Sequence, residues 1–180
     1  MNSKKSMLIG LFTVILIITA TAFIACEFRN TNPERALRNF SRQVEYGNLG
    51  DMTLTIYYIP YGVFTNPMHV EELLHEWHVG DFVNKIIVIG EHLEEHINLF
   101  KQLSIDDLIR VENEFFPGIR LYYVFEDSRG HEILGVAMWP THNIFINGVE
   151  FEWNDIFSDV IKPFLPESEL VEWWRFIIPQ

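Results

Sequence analysis

The stretch "IFINGVEFEW" (residues 144–153) decides how the last part of the chain folds. Its centre, Asn147-Gly148, separates two runs in which apolar and polar residues alternate. A two-residue type I′ turn needs positive φ at both central positions, which Asn and Gly tolerate best, so the stretch predicts a β-hairpin. In that register Ile146 pairs with Val149 and Ile144 with Phe151. The residues predicted to face the core are Ile144, Ile146, Val149, Phe151 and Trp153. The residues predicted to face water are Asn143, Glu150 and Glu152.

Upstream of this hairpin, runs of β-branched and aromatic residues predict further strands. They are residues 52–59, 84–90 (as a buried strand), 107–111, 119–127 and 131–139. Helical spacing of apolar residues predicts the helices. They are residues 33–47, 69–77, 91–103, a segment capped by Asn154, and 167–176. The expected fold class is α+β: an antiparallel sheet ending in a β-meander, with helices packed mainly on one side. Residues 33–180 are expected to form a single domain.

The first 26 residues have the layout of an export signal. Lys4 and Lys5 precede 19 uncharged residues (7–25), and small residues lead to Cys26, the only cysteine of the chain. This order of positive, apolar and small segments is typical of a secretory signal. We therefore expect residues 1–25 to be a signal peptide and residues 26–32 to be an attachment site with a short tether.

The residues "FIAC" (23–26) resemble the lipobox of bacterial lipoprotein precursors, although Phe23 stands where leucine is usual. The resemblance implies that a diacylglyceryl group is attached to the Cys26 thiol, with acyl chains such as palmitate, and that cleavage occurs just before it. A lone cysteine cannot form an internal disulfide, and a free thiol is a liability in an oxidising compartment. The rest of the chain is similar to small uncharacterised lipoproteins of Gram-positive bacteria, a resemblance that implies no activity.

Two alternatives to lipid anchoring are simple secretion and a retained span. As a helix, residues 7–25 would be about 28 Å long, close to the ~30 Å hydrocarbon thickness, so a single-pass membrane protein is physically possible. Four arginines follow this segment closely, whereas only two lysines and the amino terminus precede it. A retained span with its N-terminus inside the cell would therefore contradict the positive-inside bias. The predicted location is the extracytoplasmic face of the cell membrane, through the lipid on Cys26.

The charge of the chain excludes one class of partner. Without residues 1–25 the chain has 11 basic and 25 acidic residues, a net charge of −14. Nucleic-acid-binding domains carry a basic surface that neutralises phosphates, so no nucleic-acid partner is expected. The acidity favours solubility outside the cell and attraction of cations.

The stretch "HLEEH" (92–96) is the candidate for a catalytic metal site. His92, Glu95 and His96 match the H-x-x-E-H zinc motif, in which two histidines bind the metal and the glutamate is the general base. A helical wheel places both histidines within an apolar arc, so we expect them at the margin of the core. A catalytic zinc also needs a third ligand, and no residue is marked out for that role.

Two hypotheses follow for function. The leading one is an exported, membrane-tethered, noncatalytic binding domain that needs no cofactor and whose protein or small-molecule partner the sequence does not identify. The alternative is a metal-dependent hydrolase or a metal-binding protein that uses His92, Glu95 and His96.

Overall fold

The computed structural model describes residues 32–174, except 48, 61, 64, 80–81, 113–117 and 140–142. Pro33–Gln180 is one compact unit. The predicted signal peptide, Cys26 and the alternative span at 7–25 lie outside the described residues. Across the part of the chain that is described, no helix has both the length and the apolar character needed to cross a membrane.

The centre of the fold is an open, six-stranded antiparallel sheet. Its strands are β1 (Thr53–Tyr58), β2 (Asn84–Ile89), β3 (Leu121–Glu126), β4 (Glu132–Met138), β5 (Asn143–Ile146) and β6 (Val149–Glu152). Their spatial order is β2-β1-β3-β4-β5-β6. The last four strands are neighbours in sequence order, so the predicted meander and the α+β class are confirmed.

The hairpin between β5 and β6 has the predicted register. Ile146 pairs with Val149, and Ile144 pairs with Phe151. The two turn residues have positive φ, 48° at Asn147 and 80° at Gly148, as a type I′ turn requires. The Asn147 side chain also accepts a 3.0 Å hydrogen bond from the backbone N–H of Gly135 on β4. The turn is therefore joined to the next strand of the sheet.

Most helices cover one face of the sheet, which we call the core face. They are α1 (Pro33–Tyr46), α3 (Glu94–Ile97) with its flanking 3₁₀ turns, and α4 (Asp155–Asp159). Phe40 of α1 lies 4.5 Å from Phe125 of β3 and 4.8 Å from Phe100, measured between ring centroids. Asn154 caps α4, as predicted, since its side chain accepts from the N–H of Ile156. A helix α5 (Glu167–Trp174) ends the described chain.

The opposite face, which we call the second face, carries a smaller apolar cluster beneath helix α2 (Val70–Val79). Leu73 of this helix is fully buried, and Phe145 of β5 belongs to the same cluster. Because Phe145 is buried, the hairpin face that carries Glu150 is less exposed to water than the sequence predicts. The Trp77 and Tyr57 rings meet edge to face with centroids 5.6 Å apart.

Three sequence predictions are wrong in detail. Residues 84–90 are not a buried strand, because β2 is the edge of the sheet and half of its residues are exposed. Residues 107–111 do not form a strand; they contribute one bridge, between Arg110 and Phe151. Residues 91–103 are not one helix, because 3₁₀ turns stand on both sides of the four-residue α3.

Candidate functional site

The most unusual surface of the described structure is the outer side of strand β2. Ile87 and Ile89 are 56% and 63% exposed, although they lie in the middle and at the end of a regular strand. Both point to the second face, since their partners on β1 are Thr55 and Thr53. Helix α2 reaches only the beginning of this strand, where Lys85 Nζ lies 4.1 Å from the centre of the Trp77 ring. No described helix therefore covers the two isoleucines.

The backbone of β2 offers hydrogen-bonding groups in the same place. Gly90 N–H donates to Met52 O at 3.1 Å, and Gly90 is opposite Met52 in the continued register. Because bonded and non-bonded pairs alternate in an antiparallel ladder, residues 84, 86 and 88 bond to β1. Residues 85, 87 and 89 then direct both N–H and C=O away from the sheet. In the described part of the chain no strand pairs with that side.

The other edge of the sheet is protected. Residues 109–111 run beside β6, where Val111 N–H donates to Glu150 O at 3.1 Å and Glu152 N–H donates to Ile109 O at 2.8 Å. Two glutamates also lie on that strand. Charge and coverage are the usual means by which proteins prevent association at a sheet edge. On strand β2 the one charged residue is Lys85, and no described segment covers its outer side.

A groove of about 790 Å³ lies alongside β2, and we call it the edge groove. The residues that line it are Gly50, Ile87, Val88, Ile89, Gly90, His92, Glu95, His96, Pro163 and Phe164. Val88 belongs to the core-face cluster, so the groove begins where the apolar core meets the strand edge. The His96 ring packs edge to face on Phe164, with centroids 5.4 Å apart. The groove thus combines an apolar wall with imidazole and carboxylate groups.

The three residues of the zinc motif all line this groove, but they do not assemble a metal site. His96 is half-buried, which confirms its predicted place at the margin of the core, whereas His92 is exposed and that prediction is wrong. The reason is the break between the 3₁₀ turn Gly90–His92 and α3, which changes the helical phase. Within the described residues, no three His, Cys, Asp or Glu side chains are placed to hold a metal ion.

A polar cluster on the second face includes two groups with displaced pKa values, Tyr122 and Glu132. The Tyr122 hydroxyl lies 3.4 Å from Glu132 Oε2, and Thr55 Oγ1 lies 3.5 Å from Glu126 Oε2. Burial raises the pKa of Glu132, the hydrogen bond from Tyr122 opposes this, and the charge of Glu126 adds to it. Burial, followed by the charge of Glu132, raises the pKa of Tyr122. The two hydroxyl–carboxylate contacts join β1 to β3 and β3 to β4, so we interpret this cluster as structural.

Comparison of the chain with known protein families, with curated proteins and with solved structures gives no match.

Sequence reasoning missed the contribution of β2 to the candidate site. The run "IIVI" (86–89) has the composition of a strand buried on both faces, and composition cannot tell an edge strand from a central one. The histidines that sequence reasoning singled out do lie in the groove. The isoleucines and the backbone that accompany them became visible only in the folded chain.

Proposed function

We propose that the protein is an extracytoplasmic lipoprotein, tethered to the cell membrane through Cys26, that works as a noncatalytic binding domain. The edge groove and the uncovered strand β2 are its contact surface. The observation that carries the binding role is the exposure of Ile87 and Ile89 beside a groove, at a sheet edge with which no described strand pairs. Exposed apolar surface of this kind is typical of an interaction site.

The tether is supported by the sequence around Cys26. Two acyl chains hold a protein on a bilayer durably, since each buried methylene contributes about 0.8 kcal/mol. The net charge of −14 after removal of residues 1–25 suits a domain that stays in water beside the membrane. Anchoring would keep the contact surface close to other proteins of the cell surface and so raise its effective concentration.

The experiment for the tether is a Cys26→Ala variant, with and without the lipoprotein peptidase inhibitor globomycin. We expect the wild-type chain to fractionate with membranes and its N-terminal peptide to carry a diacylglyceryl mass. The N-terminal peptide of the variant should lack the diacylglyceryl mass, and no processed form of the variant should be found in the membrane fraction. Globomycin should make the wild-type precursor accumulate. An unmodified thiol in the native peptide, or unchanged processing in the variant, contradicts the tether.

A second candidate, a metal-binding protein or metal-dependent hydrolase, is favoured by one observation: His92, Glu95 and His96 line the same groove. Metal analysis after zinc-replete purification tests it. A zinc content near one equivalent that His96→Ala removes would support a metal role, with His75→Ala as a matched control on helix α2. Structural zinc sites bind tightly, so a content below about 0.1 equivalent would end this candidate.

A further inference from the structure

We propose that the edge groove and strand β2 together bind an extended segment of another protein, which adds to the sheet as a seventh, antiparallel strand. This inference rests on the proposed binding role and names its partner class. The expected segment carries apolar residues opposite Ile87 and Ile89 and a basic residue between them, opposite Val88.

The backbone geometry of β2 sets the pairing. Ile87 and Ile89 direct N–H and C=O outward, so a segment that lies antiparallel exchanges two hydrogen bonds with each of them. Addition of a strand to an exposed edge is a common mode of peptide recognition, in which main-chain bonds supply affinity and alternate side chains supply specificity. In the described structure no segment covers this edge, in contrast to the far edge, where residues 109–111 bond to β6.

The side-chain pattern follows from the two faces. Residues of the segment opposite Ile87 and Ile89 point to the second face and contact those exposed isoleucines, which favours β-branched apolar residues there. The residue opposite Val88 points to the core face, where the edge groove lies. That residue is therefore the one whose side chain enters the groove.

Charge complementarity selects a basic side chain at that position. Among the described residues that line the groove, Glu95 is the only Asp, Glu, Lys or Arg. The chain as a whole has a net charge of −12, so its field also attracts cations. Lys85 does not oppose this choice, because its side chain lies on the other face, over Tyr57 and Trp77.

The charge also disfavours a second copy of this chain as the occupant. In an antiparallel pairing of two β2 strands, the residues that point to the core face are the uncharged Asn84, Ile86 and Val88, and the last two pack in the core of their own copy. They leave the groove unfilled and supply no positive charge to Glu95. Two chains that are each strongly acidic also repel one another.

The test uses the full-length protein in lipid nanodiscs and four fluorescent peptides built on acetyl-Ser-Thr-Val-Lys-Val-Thr-Ser amide. One peptide is the parent, and one has Glu in place of Lys. The other two carry a single N-methyl group, either on the first Val or on the Lys. The Val amide points to β2 in the expected pairing and the Lys amide points away, so these two peptides differ only in which N–H is blocked.

We expect saturable binding of the parent and of the Lys-methylated peptide by fluorescence anisotropy. Methylation of Val, or Glu in place of Lys, should weaken binding at least tenfold. Equal binding of the two methylated peptides overturns strand addition, and equal binding of the Lys and Glu peptides overturns the charge preference. The assignment of this partner class is overturned if the parent peptide does not bind. It is also overturned if the protein self-associates and Ile87→Asn abolishes that self-association.

Protein variants test whether peptide binding depends on this surface or on exposed apolar side chains in general. Ile87→Asn should weaken parent binding at least tenfold, whereas Ile109→Asn should not, although Ile109 is equally exposed at 58%. Glu95→Gln should reduce the advantage of Lys over Glu in the peptide. If the protein is lipidated but binds no peptide, this inference is contradicted and the proposed tether is retained. If the protein is not lipidated but binds the peptides as expected, the tether is contradicted and this inference is retained.

Discussion

Gly90 and Gly50 are in direct backbone contact: a Cβ built on Gly90 would lie 2.6 Å from both the Cα and the carbonyl oxygen of Gly50. Gly90 also has a positive φ of 23°, which side chains of L-residues rarely accept. The contact joins the turn before β1 to the turn after β2, and both residues line the edge groove. The end of the candidate site is therefore defined by two residues without side chains.

A Gly90→Ala substitution should destabilise the protein by about 2 kcal/mol or more, because backbone atoms must move to admit the methyl group. Chemical denaturation followed by circular dichroism measures this loss. Gly62→Ala is the matched control, since a Cβ there meets nothing within 4 Å. Equal midpoints for the two variants would contradict the close approach.

The Tyr123 hydroxyl donates a 2.9 Å hydrogen bond to the carbonyl oxygen of Phe157 inside the core. Burial raises the pKa of Tyr123, so the hydroxyl keeps its proton across the neutral range. Tyr123→Phe should lower the free energy of unfolding by about 1–3 kcal/mol, because it leaves a buried carbonyl without its donor. Tyr46→Phe, at a residue 79% exposed, should change it by less than about 0.5 kcal/mol. Equal losses of unfolding free energy in the two variants would mean that the hydrogen bond from Tyr123 does not stabilise the packing of α4.

Asn147 acts on the hairpin in two ways, through its positive φ and through its bond to Gly135 N–H. Asn147→Ala removes both and should cost about 1–2 kcal/mol, whereas Asn147→Gly keeps the turn conformation and loses only the bond. We expect the Gly variant to lie between wild type and the Ala variant in urea denaturation. If the Ala variant is as stable as the Gly variant, the turn geometry contributes nothing measurable.

The pKa of Glu132 is raised in the folded state, chiefly by burial of its carboxyl against Tyr122. The folded protein therefore binds this proton more tightly than the unfolded chain does. Its contribution to stability is complete below the ordinary glutamate pKa of 4.5 and is lost as the pH rises through the folded value. The effect should be small, because Glu132 as a residue remains exposed.

Glu132→Gln should accordingly flatten the dependence of the unfolding midpoint on pH in that window and leave neutral-pH stability equal or slightly higher. Thermal melts at a series of pH values above 4 measure this. Glu152→Gln, at an exposed position on β6, is the control and should keep the wild-type slope. A wild-type slope in Glu132→Gln would show that its carboxyl is solvated in the folded protein.

The turn and register of the terminal hairpin could be predicted because their information is local. Two adjacent residues that tolerate positive φ set the turn, and the period-two pattern on either side then sets which side chains face the core. The same kind of pattern predicted the positions of most strands and the cap of α4 at Asn154. In each of these cases the preference of a few neighbouring residues agrees with the final fold.

The edge groove could not be predicted in this way. Whether "IIVI" (86–89) lies inside a sheet or at its edge depends on which strand pairs with it, and its partner β1 lies some thirty residues earlier. In the described part of the chain its outer side is uncovered, whereas residues 109–111 bond to β6 at the far edge. The sequence alone determined the hairpin and the α+β class, since both follow from short-range backbone preferences and alternation. Only the tertiary structure decided which strand forms the edge of the sheet beside the histidines, because strand order is set by contacts between distant segments.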